Sequence, residues 1–374
     1  MKLSACILFG VACLSSAALG QSNEKPPAKP VPIAPRFQIN DRDWPANFGE
    51  GSVCLWKDDS LAALSITIDD NWAPDHPWWL EMGRKYGLRL TWFVITGRVG
   101  TGLNWGTWDD FRKLFHEGHD VQSHTLTHLH TESPEWKGIE PEYVVSQRAI
   151  EKEIPGDKCL ALAYPGGPNS ALNDPEIAAK YYVCARGATG SVNSANQTNY
   201  KQTNSIGADI FIGDAKFPSQ DLTTLLEKKP SGMGNYYRGW YCCHFHGVKP
   251  ETREHLEQRF AVVKQKVQSG ELWPGLFREV CQYGQERDTA HLETREASPA
   301  RVVLQLTDKM DDARFDFPLT LKVRLDPTWT TVKAVQNSKE VEAKRIEHDG
   351  AVYALVQAVP DRGPLILTHA DARP

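Results

Sequence analysis

Ala63-Leu-Ser-Ile-Thr-Ile-Asp-Asp-Asn71 is an apolar run closed by two acids. A run of this length rich in β-branched residues and ended by a turn-forming cluster reads as a buried strand. Similar runs recur at Leu88–Ile95, Asp120–Ser123, Leu160–Tyr164, Tyr182–Ala185 and Trp240–His246. Between them, helical spacing covers Trp79–Tyr86, Trp108–Glu117, Pro141–Ile154, Pro175–Lys180, Asp221–Lys228 and Thr252–Gln268. Strands alternating with helices predict βα units and a parallel sheet, closed as a barrel or open. Gly187–Lys216 is rich in Gly, Asn, Ser and Thr and reads as a long excursion.

The pattern changes after His291. Short strands over Arg301–Thr307, Leu319–Leu325, Thr331–Val335, Val341–Ile346, Ala351–Val359 and Leu365–Thr368 predict a small all-β sandwich, residues 298–374. The preceding α/β domain spans residues 37–290. Residues 21–36 carry five prolines and read as an extended linker. Residues 1–20 carry one charge, an apolar run and a small-residue end, the pattern of a secretory signal peptide cleaved after Gly20. The protein is therefore expected to be exported, to the periplasm or outside the cell, with no integral membrane segment once the signal is removed. The net charge of −5 gives no reason to expect a nucleic-acid partner. Six cysteines follow the signal, and both disulfides and buried thiols are compatible with them.

Chemistry concentrates at strand ends. His124 and His128 stand four apart after the Asp120–Ser123 run, and one helical turn brings two such rings to one point. With the carboxylate of Asp70 they make three ligands for a divalent metal and leave a position for water. Asp69 is then free to act as a base. Leu160-Ala-Leu-Ala-Tyr-Pro-Gly-Gly167 ends in glycines whose N–H groups could meet an oxyanion. In Trp240-Tyr-Cys-Cys-His-Phe-His-Gly247, alternation puts Trp240, Cys242, His244 and His246 on one face. His246, at the C-terminal end, is where a barrel keeps its chemistry.

These blocks, in this order, resemble the polysaccharide deacetylases that share the NodB-homology domain, the carbohydrate esterase family 4 type. Thr67-Ile-Asp-Asp-Asn71 resembles T-F-D-D-G, and Ser123-His-Thr-Leu-Thr-His128 resembles S-H-T-x-x-H. Leu90-Thr-Trp-Phe93, Tyr164-Pro-Gly-Gly167 and Trp240–Gly247 resemble three further blocks. The resemblance implies a distorted (β/α) barrel, followed here by the β-sandwich. It implies one divalent metal ion, usually zinc, on Asp70, His124 and His128. Asp69 would be the general base, His246 the general acid, and a backbone N–H at Gly166 part of the oxyanion site. Two positions depart from the family. Asn71 replaces a glycine, and asparagine tolerates the left-handed conformation. Ala163 replaces an arginine thought to orient the base, and Arg186, ending the next strand, is the candidate substitute.

Tyr164, Trp72 and Trp240 are candidate substrate contacts, because aromatic faces pack on sugar C–H faces. His76 is a possible cleft residue. The expected function is a secreted, metal-dependent hydrolase that removes acetyl groups, N-acetyl before O-acetyl, from a carbohydrate. Two alternatives are a weakened carbohydrate-binding protein of the same fold, suggested by Ala163 and the tryptophans, and a metal-dependent amidase on small cyclic amides.

Overall fold

The opening strands carry one apolar side chain per face step, and that alternation builds two cores on either side of one sheet. In the computed structural model, residues 41–369 are described, apart from 133, 135, 173, 214–219 and 228–235. The signal and linker readings lie outside the described residues. β1 (Gly51–Val53) is followed by β2 (Ala62–Asp69), β3 (Leu90–Val94), β4 (Asp120–Ser123), β5 (Ala161–Ala163), β6 (Cys184–Arg186), β7 (Ile206–Gly207), β8 (Trp240–Phe245) and β9 (Leu272–Pro274). The sheet runs β6-β5-β4-β3-β2-β8-β7, with β9 also pairing β2, and all of these pairings are parallel. It curls into a half-barrel, in line with the distorted (β/α) barrel expected from the sequence.

In β2, Ala62, Leu64, Ile66 and Ile68 enter one core, while Ala63 enters the other. β8 divides the same way, with Tyr241, Cys243 and Phe245 on the first side and Trp240 and Cys242 on the second. The first core is closed by α1 (His76–Tyr86), α2 (Trp108–His116), α3 (Ile139–Glu153) and α6 (Arg253–Gln268), with the short α4 (Asp174–Ala178) and α5 (Ala208–Ile212) beside them. α2 starts on a capping box, in which Thr107 and Asp110 satisfy each other's backbone N–H groups. The Asp221–Lys228 helix is reduced to a 3-10 turn at Leu222–Leu225.

The second core is shared. α7 (Phe277–Thr289) buries Phe277, Val280, Cys281 and Tyr283, and these join Phe93, Ala163 and Trp240 of the sheet and Val302, Leu321 and Val356 of the β-module. That module holds β10 (His291–Ser298), β11 (Arg301–Thr307), β12 (Leu319–Arg324), β13 (Lys333–Gln336), β14 (Lys339–Val341), β15 (Ala343–His348), β16 (Ala351–Ala358) and β17 (Leu365–Thr368). Its strands form two antiparallel sheets, β1-β12-β16-β15 and β10-β11-β17-β13-β14. β1 pairs antiparallel with β12, so residues 51–53 complete a sheet whose other strands come after residue 318. The described residues, 41–369, fall in one compact unit. No disulfide forms among the described residues, and the six described cysteines are buried thiols. No described helix is long and apolar enough to cross a membrane.

A shared core implies shared unfolding. Phe277 is fully buried where the two parts meet. Phe277→Ala should lower stability by about 3–5 kcal/mol, the usual cost of emptying a buried phenylalanine site. Denaturant titration should show one transition moving to lower concentration. Two separated transitions would mean that the β-module folds independently.

Candidate metal and acid–base site

The strand parity that fills the second core also aims the polar residues. Asp69 has the parity of Ala63, and His244 and His246 have that of Trp240 and Cys242, so their side chains rise from the same face. Asp69 ends β2, and Asp70 turns the chain immediately with φ of 66°. An aspartate is among the few non-glycine residues that accept that conformation. The sequence reading gave the left-handed role to Asn71, and the structure assigns it to Asp70. Asn71 is buried and works with its amide instead: Nδ2 donates to Ile95 O at 3.1 Å, and Oδ1 accepts from Ile95 N at 2.9 Å. This clamps the end of β2 to the end of β3.

His124 and His128 do converge, but not on a helix. Residues 124–130 form an irregular loop, with left-handed Thr125, His128 and Leu129. Three anchors fix it. Thr127 N and Oγ1 both donate to the Glu142 carboxylate of α3 at 2.8 Å, and His128 N donates to Thr125 Oγ1 at 3.0 Å. On the other side Gly97 N donates to Leu126 O at 2.8 Å, an approach so close that a Cβ on Gly97 would lie 2.6 Å from that oxygen. The rings end 4.9 Å apart, centroid to centroid. Their Nε2 atoms lie 3.7 and 3.9 Å from Asp70 Oδ1.

The donor chemistry fits a divalent cation. One ligand atom from each of Asp70, His124 and His128 lies within 4.8 Å of the others. His124 Nδ1 is 2.8 Å from Ala163 O, and a carbonyl only accepts, so Nδ1 carries the hydrogen and Nε2 presents its lone pair. Asp70 Oδ1 is buried without a hydrogen-bond partner. Burial depresses the pKa of His124, and burial with the neighbouring His124 brings His128 down to about 4, so both rings are neutral at pH 7. Neutral rings are the metal-binding form.

Beside this group stands Arg186, the sequence's candidate for the missing arginine. Arg186 lies directly across the ladder from Ala163, and its Nη2 donates to Asp69 Oδ2. Both side chains are buried. Arg186 Nη1 also donates to Gly187 O at 3.1 Å, and the guanidinium lies over the Phe93 ring at 5.4 Å. Burial alone would raise the Asp69 pKa. Arg186, then His124, His244 and His246, outweigh it and hold the carboxyl below its ordinary value. His246 sits one residue past β8 with its side chain 63% exposed, Nε2 4.0 Å from Asp69 Oδ2. His244 is largely buried, with Nδ1 2.8 Å from Ser205 Oγ, and burial followed by the charge of Arg186 takes its pKa to about 4.

The remaining candidates divide. Trp72 is 44% exposed and shares a cavity with Asp70 and His246. Gly166 lines a second cavity with His128. A Cβ on Gly166 or Gly167 would meet nothing within 4 Å, so the glycines answer to φ values of 66° and 100°, not to crowding. Gly167 N donates to Tyr164 O at 3.1 Å. Tyr164 is not a substrate contact: it has the parity of Leu162, points into the helix-side core, and its hydroxyl donates to Lys201 O at 2.8 Å. Trp240 is not one either. It lies on the correct face but at the far end of β8, about 20 Å from His246 at ~3.3 Å per residue, fully buried and donating to Ser65 Oγ at 3.1 Å. His76 is buried against Trp92 and Phe111 rather than lining the cleft. Sequence reasoning missed Glu142, Asn71's clamp and Ser205. None carries a local signal, because each acts on a residue distant in the chain.

Residues 57–180 match the family described as polysaccharide deacetylase. This stretch is similar to polysaccharide deacetylase domains, as the blocks at Asp69-Asp70 and His124–His128 led one to expect. The deacetylase region lies within a longer similarity, 33% identical over 361 residues and 91% of this chain, to a protein of a Bacillus species called gellan lyase. The chain spans only 14% of that protein, whose name describes an activity other than deacetylation. Among solved structures, a Streptococcus pyogenes deacetylase in complex with acetate is 25% identical over 38% of this chain and 62% of its own, with a TM-score of 0.33. A family 4 carbohydrate esterase from Streptomyces lividans, also with acetate, is 17% identical over 57% of this chain and 92% of its own, with a TM-score of 0.37.

Two measurements test the site. Glu142→Ala removes no ligand but frees the histidine loop, and should weaken metal binding by on the order of tenfold, the lower end for loss of an outer support. A competitive chelator titration reads it, and unchanged affinity would show that the loop is held without Glu142. Arg186→Met removes the largest of the charges that oppose burial at Asp69. Its folded-state pKa should then rise, so the acidic limb of the pH–rate profile should move to higher pH. Where burial then prevails, the stability of this variant should fall as pH rises from the ordinary aspartate range through the raised folded-state pKa, because a buried neutral acid must ionise. An unmoved limb would remove Arg186 from the site.

Proposed function

We propose that this chain is an exported, metal-dependent deacetylase that hydrolyses acetyl groups on a carbohydrate, N-acetyl in preference to O-acetyl. The observation that carries the reading is the Arg186–Asp69 pair set beside Asp70, His124 and His128. A divalent ion held there, zinc being favoured by two imidazoles and a carboxylate, supplies Lewis acidity toward water and the acetyl carbonyl. Asp69, kept as a carboxylate, accepts the proton of the attacking water. Its Oδ1 has no protein partner, which leaves a lone pair for that proton. The Gly166 N–H is the proposed donor to the developing oxyanion. His246, exposed at the cleft and 4.0 Å from Asp69, delivers a proton to the leaving nitrogen, without which an amide does not break. His244, packed behind and held by Ser205, supports the pair and does not meet substrate.

Ala163 favoured a weakened binding protein, but the guanidinium from β6 supplies the missing charge, so the hydrolytic reading is preferred. Export rests on residues 1–20. The gellan lyase similarity makes gellan one glycan worth assaying. Metal-loaded protein should release acetate from at least one of acetylated gellan, acetylated xylan and N-acetylglucosamine oligomers. Asp69→Asn should keep the metal, by elemental analysis, and lower kcat by at least ~10². His124→Ala should lose both. His246→Ala should lower kcat with little change in Tm, and His244→Ala should mainly lower Tm. Reversed phenotypes would move the acid to His244, and no acetate from any glycan would overturn the proposal.

A further inference from the structure

The chain that carries His246 is tethered by a carboxylate from another part of the fold. The ladder between β2 and β8 stops at the pair Ile68–Phe245, and His246 is the next residue. Two residues on, Val248 N donates to Asp75 Oδ2 at 2.6 Å. A Cβ on Gly247 would stand 3.4 Å from the same oxygen, so the carboxylate lies against this step of the backbone as well. The chain then passes through a 3-10 turn, Pro250–Thr252, into α6. Arg253, which opens that helix, returns to the same group, its Nη2 donating to Asp75 Oδ1 at 3.0 Å. One carboxylate thus closes residues 248–253 into a loop, with a charge-assisted bond at each end.

Asp75 is free for this role because it does not cap its own helix. It stands at the N-cap position of α1, where an aspartate side chain ordinarily accepts from the first N–H groups of the helix. Here it makes no such bond, and Pro77 removes one of those donors. Asp75 is buried, and a buried carboxylate needs partners, which Val248 and Arg253 supply. Both partners are held in turn. Val248 is buried in the helix-side core, and the Arg253 guanidinium lies over the Trp78 ring of α1 at 5.4 Å. The other end of the tether is fixed too. Asp69, Asp70 and Asp75 share one short segment, tied down where Ala73 N donates to Asn104 O at 3.0 Å and Gly106 N to Asn71 O at 2.8 Å. Joining α1 to α6 would need only Arg253. The bond to Val248 N adds a constraint between the chain of His246 and the segment that carries Asp69.

We propose that Asp75 is a positioning residue for the acid: through Val248 N, and anchored by Arg253, it sets where the His246 ring stands relative to Asp69. The His246 side chain is 63% exposed, with Nε2 4.0 Å from Asp69 Oδ2, so little packing surrounds it and its backbone governs its place. A general acid must stand within hydrogen-bond reach of the atom that it protonates, and a shift of about 1 Å can cost on the order of 10²-fold. Asp75 acts through the backbone and meets no reacting atom. This rests on the deacetylase reading above, in which His246 protonates the leaving group.

A double-mutant cycle tests it. On a glycan that the metal-loaded parent deacetylates, Asp75→Ala should lower kcat about tenfold and move KM less than about twofold. In the His246→Ala background the same change should cost less than about twofold, because no acid is left to misplace. Asp75→Asn, whose amide oxygen still accepts from Val248 N, should keep kcat within about threefold of the parent. Arg253→Met, at a partly exposed helix start, keeps the test open where Asp75→Ala does not fold: it should lower kcat about threefold in the parent and leave the His246→Ala protein unchanged. Metal content, by elemental analysis, should stay at the parent's value throughout. NMR gives a readout without turnover. The His246 ring signal, assigned by its loss in His246→Ala, should shift in Asp75→Ala and return in Asp75→Asn. Equal losses in both backgrounds, an asparagine variant as poor as the alanine one, or an unmoved ring signal would overturn the inference. If the parent releases no acetate from any glycan, the deacetylase reading falls, and the ring signal still decides whether Asp75 places His246.

Discussion

The buried pair of Arg186 and Asp69 is the interaction on which the rest of this site depends. Two charges removed from water are costly, and their attraction compensates only when the geometry is good and the other hydrogen-bonding positions are filled. Here the guanidinium donates to Asp69 and to Gly187 O, and it lies over the Phe93 ring. Phe93, Ala163 and Trp240 belong to the core that α7 and the β-module complete. The small side chain of Ala163 stands across the ladder from Arg186, and its carbonyl accepts from His124 Nδ1. One backbone position thus orients a histidine of the candidate metal group, while the neighbouring strand supplies the cation.

Division of labour between the two carboxylates follows from where the chain turns. Asp69 is the last residue of a buried strand and keeps the strand's parity, which aims it at Arg186, at His244 of β8 and at His246 just beyond it. Asp70 is already in the left-handed turn, which swings its carboxylate to His124 and His128 instead. Adjacent residues of one chemical type therefore serve two different centres. The clamp from Asn71 to Ile95 holds that turn, and Glu142 holds the facing loop. Neither touches the metal group, yet both set the distances on which it depends.

The β-module enters through packing rather than chemistry. Its strands cover α7 and the second face of the parallel sheet, and β1 completes one of its sheets from the opposite end of the described chain. The face that carries Asp69, Arg186, His244 and His246 is the same face that this core supports from below.

Much of this was legible from sequence because it is local. Hydrophobic runs predicted the strands at Asp120–Ser123, Arg301–Thr307 and Leu365–Thr368 to the residue. Period two placed His244 and His246 on one face, and the spacing of Asp70, His124 and His128 marked the metal group. Arg186 was reachable as the cation ending the next strand, since adjacent parallel strands bring their ends together. The mechanism of convergence was not legible. A four-residue histidine spacing is the same in a helix and in a loop, and only Glu142, Gly97 and the left-handed residues show that it is a loop. Trp240 and Tyr164 show the same limit. Type and neighbourhood made each a plausible sugar contact, but depth along a strand and parity between faces decide exposure, and one is buried at the wrong end while the other is on the wrong face. The sequence by itself determined which residues could do the chemistry, because donor type and period are properties of the chain. Only the tertiary structure decided which of them meet, because that depends on strand register, on turns of positive φ, and on side chains far away in sequence that fill the space behind them.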